Sequence, residues 1–232
     1  MSKFSKSLSA LALGTAILFT GCEESMDETP DETKPDVNTT KLFEVSVINL
    51  TAGQPFSPIT VLAHNSEYKM FAMGSEASVA LETMAEGGDN SKLLETVSHS
   101  VAGAGVLTPG SSEKLSIALD NADKLTITGM LVQTNDTFLA YQGIDISALE
   151  VNGVWKSEVR AYDAGTEKNT ETAATVPAQG GEGFNAERDD VANFVSISSG
   201  VVTQADGLAT SALSQMQRFD NSVAFVKITR VQ

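Results

Sequence analysis

The sequence predicts an all-β fold, mainly an antiparallel β-sandwich, with one or two short helices inserted after the early strands. Three observations carry this. Short segments of alternating apolar and polar residues recur from residue 42 to the end of the chain. Clusters of Gly, Asn, Asp and Pro punctuate them, as at Thr108-Pro109-Gly110-Ser111 and Asp120-Asn121-Ala122-Asp123. Helical spacing is confined to one stretch, and many short strands with little helix favour packed sheets.

Before the strands comes a segment of another kind. Lys3 and Lys6 precede an apolar run over residues 8–19, interrupted by Ser9, Gly14 and Thr15. About 20 apolar residues are needed to span a bilayer, so the run suits a cleaved secretory signal better than an anchor helix. It ends in Phe19-Thr20-Gly21-Cys22, which resembles the bacterial lipobox, with Phe19 where Leu is usual. The resemblance implies a signal over residues 1–21 and lipid attached to Cys22, with Glu23 favouring the outer membrane or cell surface. Cys22 is the only cysteine, so the chain can form no internal disulfide. The stretch that follows, EESMDETPDETKPDVNTT, has seven acids, one base and two prolines. It offers no apolar period to bury, and reads as an extended, self-repelling tether over residues 22–40.

The folded part is expected over residues 41–232. Phe43, Val45 and Val47 alternate with Glu44 and Ser46, a half-buried strand. Further strands are expected over 59–62, 115–119, 125–132, 194–197 and 223–231. Helical spacing marks 75–86 and 90–97, with Ser75 and Asn90 as caps. Their apolar residues, Val79, Leu81, Met84, Leu93, Leu94 and Val97, are expected to pack over one end of the sheets.

Charge and composition narrow the function. The formal net charge is −15, which opposes nucleic-acid binding and suits cation binding. His64 and His99 stand in no metal or triad pattern, and His64 reads as a hydrogen-bonded structural residue. Gly74-Ser75 lacks the flanking glycine of a nucleophile elbow, and the Gly-rich stretch at 180–183 lacks the Lys of a phosphate loop. Aromatic residues are 6% of the chain, so Trp155 and the tyrosines read as packing groups.

Several segments, in order, resemble the spondin domain found in F-spondin and in bacterial secreted proteins. They are FEVSVINLT (43–51) with GQPFSP (53–58), GMLVQTNDTF (129–138), YDAGTE (162–167), GGEG (180–183) and the closing strand at 223–231. The resemblance implies a spondin domain-containing lipoprotein, a β-sandwich with a calcium site among loops at one end. Its metal ligands would be Asp136, Asp163 and Glu167, the last standing where the animal motif has Asp. The expected role is non-catalytic adhesion or recognition of a protein or glycan ligand at the envelope, tied to the membrane by the lipid on Cys22. A calcium-dependent envelope hydrolase acting on polysaccharide or peptide is the alternative.

The residues support a calcium reading on their own terms only in part. Calcium takes six to eight oxygen ligands, and Gly165 permits a bend that turns Asp163 and Glu167 inward. Asp136 and Asp163 also read as acids that accept turn amides. Glu182 is a further candidate ligand; Asp145, Asn169 and Glu171 are weaker ones.

Overall fold

The computed structural model describes residues 40–188, 191–220 and 222–232. The signal segment, Cys22 and the tether up to residue 39 lie outside the described residues. Nine strands and two short helices follow in the order β1 (Lys41–Asn49), β2 (Thr60–His64), α1 (Val79–Gly87), α2 (Ser91–Leu94), β3 (His99–Ala102), β4 (Ser112–Leu119), β5 (Lys124–Met130), β6 (Thr137–Asp145), β7 (Val154–Asp163), β8 (Ser196–Ile197) and β9 (Ala224–Arg230). The all-β class with two short helices after the early strands is the one expected from the sequence.

The strands run in the spatial order β3-β2-β5-β6-β7-β9-β1-β4, with β8 beside β7. Every pairing is antiparallel. The layers form one continuous sheet that folds over at β7 and almost closes. Residues 154–159 of β7 pair with β9, whereas residues 160–163 pair with β6. At the far ends of the path, the Ala104 N–H beyond β3 donates to Glu113 of β4 at 3.2 Å.

Alternation decides what enters the core. Phe43, Val45 and Val47 of β1 and Leu115, Ile117 and Leu119 of β4 point inward. They meet Val61, Leu125, Ile127, Leu139, Val159, Val226 and Ile228 from the facing strands. Strands β2 and β5 are buried on both faces, because α1 and α2 cover their outer side. There Leu62, Met130, Phe138 and Ala140 pack against Leu81, Met84 and Leu93. A sheet covered on both faces loses its alternation of exposed and buried positions, which is why every residue of TVLAH and the first four of TFLAYQGID are buried.

Several boundaries differ from expectation. The first helix begins at Val79, not at residue 75, and its cap is Ser78, whose hydroxyl accepts the Leu81 N–H at 3.2 Å. Val79, expected to be packed, is 55% exposed because it sits at the first helical position, turned from the sheet. The second helix is a single turn, and Asn90 makes no capping bond through its side chain. Both helices lie over the face of β2, β5 and β6, not over an end of the sheets. The strand expected at 194–197 shrinks to Ser196–Ile197. Strands β3, β6 and β7 have no counterpart among the expected ones, although β7 alternates clearly, with Lys156, Glu158 and Arg160 outward.

Candidate metal centre

The three acids implied by the resemblance come together at one end of the sheet, through local turns and one stretch of register. Strand β5 stops at Met130, and the turn behind it is held by Thr134. Its hydroxyl donates to the Leu131 carbonyl at 2.6 Å and accepts the Thr137 N–H at 3.1 Å. That turn delivers Asp136 to the position just before β6. Thr137 pairs with Asp163 across β6 and β7, and the Ala164 N–H donates to the Asp136 carbonyl at 3.2 Å. The register therefore forces Asp136 beside residues 164–167.

There the chain bends. Gly165 has φ +69°, and Asp163 Oδ1 accepts its N–H at 2.8 Å. A side chain at 165 would drive its Cβ to 2.3 Å from the Phe194 carbonyl oxygen, so the bend needs glycine for space as well as conformation. Past the bend, the Thr166 and Glu167 N–H groups converge on Asp136 Oδ2 at 2.8 and 3.0 Å. Asp163 Oδ2 accepts from Asn169 at 2.9 Å. The Asn135 amide reaches Glu167 Oε2 at 3.5 Å. Asp163 thus uses both oxygens within its own loop, as a turn-capping Asp does, while Asp136 uses one.

The other oxygen of Asp136 has no hydrogen-bond partner, and the residue is fully buried. Four further acids among the described residues each have one buried oxygen without a donor, Glu86, Glu113, Asp123 and Glu171, of which Glu86 and Glu171 are themselves buried. Glu86, in the last turn of α1, accepts the Asn185 N–H through Oε2 at 2.8 Å and leaves Oε1 without a donor. Glu171 accepts the Val202 N–H at 3.3 Å and leaves Oε2 without one.

Burial and mutual repulsion raise the pKa values of these groups. Burial, and then the charges of Asp163 and Glu86, push Asp136 up to about 7 against the pull of the two loop amides. Burial followed by Glu86 and Asp136 pushes Glu167 up to about 8. Glu171 rises to about 7, mainly through burial. Glu86 is raised for the same reason.

Glu182 lines the same small cleft, of about 140 Å³, with Thr166, Glu167 and Thr175. Asp145 is at the opposite end of β6, bound to Lys124 at 2.7 Å and to Ser147. His64 is structural as expected: its ring nitrogens meet the Asn65 carbonyl at 2.7 Å and the Thr126 hydroxyl at 2.8 Å. His99, distant in sequence, lines a cleft with it. Sequence reasoning missed Glu86. The available signal was a pair of acids, Glu82 and Glu86, four apart on a helix whose other buried residues are mostly apolar.

The donor chemistry fits a hard cation. The candidates are oxygens without sulfur or imidazole among them, and Asp136 Oδ1 is buried without a hydrogen-bond partner. Among the described residues no three acid, His or Cys side chains converge tightly enough to enclose a metal as they stand. Loading would have to draw the carboxylates together from these positions. No protein-family model matches the chain, and a search of curated proteins returns no match. Among the described residues no helix is long and apolar enough to cross a membrane.

Proposed function

We propose that this chain is a lipid-anchored, non-catalytic protein of the cell envelope whose spondin-like sandwich binds calcium and serves adhesion or ligand recognition. The observation that carries the calcium reading is the orphan oxygen of Asp136, fully buried beside Asp163 and Glu167. A buried charge without a partner is costly. A divalent cation would offset the burial and the repulsion that raise the pKa values of Asp136 and Glu167.

In this reading each residue has a distinct task. Asp136 is held by the Thr166 and Glu167 amides with one oxygen facing the site. Asp163 fixes the bend through Gly165 while keeping lone pairs for the ion. Glu167 supplies a half-buried carboxylate that lines the cleft with Glu182. Calcium, when bound, would supply charge neutralisation and tie the loops to one another. The acidic chain makes nucleic acid an unsuitable partner. The lipobox-like Cys22 and the acidic tether support display from a membrane, at the outer membrane or cell surface, toward a protein or glycan ligand.

Calorimetric melting of the purified protein with calcium and with chelator tests the site. The expected result is a higher melting temperature in calcium, abolished in Asp163→Ala. Identical melting in both conditions would sink the calcium reading. Labelling cells with a radioactive fatty acid tests the anchor: incorporation is expected in the native chain and none in Cys22→Ala.

A further inference from the structure

We infer that the cleft where β6 and β7 part binds an acidic polysaccharide, with Phe71 and Tyr162 covering a sugar ring and Arg160, Lys156 and Lys227 receiving its carboxylates. This rests on the ligand-recognition reading above, gives it a site and a ligand class, and does not involve the calcium site.

The cleft follows from the split in the sheet. Strands β6 and β7 pair from Thr137 and Asp163 as far as Ala140 and Arg160, and the earlier residues of β7 pair with β9 instead. The space left between the diverging strands is about 600 Å³, within the roughly 300–1,000 Å³ of small-ligand sites. One wall is aromatic. The Gln142 side-chain amide accepts the Phe71 N–H at 3.0 Å and donates to the Phe71 carbonyl at 3.2 Å, which fastens the loop after β2 to β6. The Phe71 ring is thereby held 4.9 Å from that of Tyr162, and both residues are only half-buried. A pyranose ring has an apolar C–H face for such rings and hydroxyls for the polar groups around them.

The β7 wall supplies charge. Arg160 is exposed in the cleft, and among the described residues its guanidinium has no ion-pair partner, unlike Arg188 and Arg218. Glu158, exposed on the same side of β7, is taken by the Ser222 hydroxyl at 2.6 Å. Lys156, also outward on β7, stands directly opposite Lys227 of β9, and like charges so placed destabilise a sheet. Among the described residues neither lysine has a carboxylate partner, whereas Lys114, farther along the same row, has Glu44 at 3.1 Å. In a chain of net charge −15, this strip of cations without acids is the complement of an anion. Arginine matches a carboxylate with two parallel N–H bonds.

A peptide strand fits the cleft less well. Strand addition needs a run of open backbone edge, but β6 is irregular just past Ala140. Its pairing with β5 shifts register between Leu125 and Ile127, Gly143 turns to φ +75°, and the Gly143 N–H is given to the Thr126 hydroxyl at 3.1 Å. Such bulges turn an edge away from further pairing. Arg160 and Lys156 are four residues apart, about 13 Å along the strand. An extended polymer with repeated carboxylates reaches both, and a single sugar does not.

The test is biolayer interferometry of the full chain in non-ionic detergent, with chelator present, on immobilised polygalacturonate, hyaluronate and dextran. The expected result is binding to an acidic polymer that weakens with added salt, and none to dextran. Arg160→Gln, and Lys156→Gln combined with Lys227→Gln, should each lower the affinity by ~10-fold or more. All three positions are exposed, and the melting temperatures of the variants check that they fold. Variants that bind as the native chain does overturn this site and leave glycan recognition standing. No binding by the native chain to either acidic polymer overturns the inference and leaves protein ligands to the recognition reading. Capture of phosphatidylglycerol vesicles in place of the polymers, lost in Arg160→Gln, overturns it in favour of a membrane surface. With chelator present throughout, none of these outcomes bears on the calcium reading.

Discussion

Asp136 Oδ2 accepts the backbone N–H of Thr166 at 2.8 Å, while Asp136 Oδ1, in the same buried carboxylate, receives no donor. The half-satisfied state makes stability depend on pH. In the fold Asp136 is pushed up to about 7 and Glu167 to about 8, from ordinary values of 3.8 and 4.5. Between these limits the folded state holds protons that the unfolded chain has released. Stability is therefore greatest below the ordinary values and declines as pH rises through the folded ones. In chelator the melting temperature should fall steadily from pH 5 to pH 8, and saturating calcium should flatten that decline. A chelator profile that rises or stays level over this interval would show that the acids do not repel as described.

The pairing of Arg188 with Glu82 is the counterpart that Glu86 lacks. Glu82 is 3% exposed and takes two guanidinium contacts at 2.6 Å. Arg188→Met should destabilise the fold by about 3–5 kcal/mol, since it leaves a buried carboxylate alone. Arg188→Met with Glu82→Met should recover much of that loss. Urea unfolding of the two variants measures the difference, and equal stabilities would contradict it.

The amino-terminal cap of α1 separates two serines three residues apart. Ser78→Ala removes the acceptor for the Leu81 N–H and should cost about 1 kcal/mol. Ser75→Ala, at an exposed position outside the helix, should change stability by less than about 0.5 kcal/mol. The same denaturant titration ranks them, and the reverse order would return the cap to Ser75.

Gly165→Ala places a Cβ against the Phe194 backbone at a left-handed φ of +69°. The conformation alone costs roughly 1–2 kcal/mol, and the clash adds to it by moving the bend that aims the Thr166 and Glu167 amides at Asp136. Lower melting temperature together with weaker calcium binding is expected. A variant as stable as the native chain would mean that the bend tolerates a side chain.

Local pattern carried the fold class, and the resemblance supplied the candidate acids of the site. Alternation in β1, β4 and β9 is visible because each has one face in the core and one outside. Asp163, Gly165 and Glu167 lie within one loop, but spacing alone reads Asp163 as a turn-capping acid as readily as a ligand; the resemblance is what singled out Asp136, Asp163 and Glu167 together. The burial of β2 and β5 on both faces was not legible, because an apolar run does not say what covers it.

What the sequence by itself determined was therefore an all-β chain, punctuated by turns, with acids gathered in particular loops. Tertiary structure alone decided that β7 changes partner halfway, that the helices cover a sheet face, that Asp145 stands at the opposite end of β6, and that Glu86 accepts the Asn185 N–H from a distant loop. The physical reason is range. Periodicity reports the surroundings of a residue averaged along its own strand or helix. A carboxylate's missing partner depends on strand register and on which distant element packs against it, and neither is encoded within one turn of its neighbours.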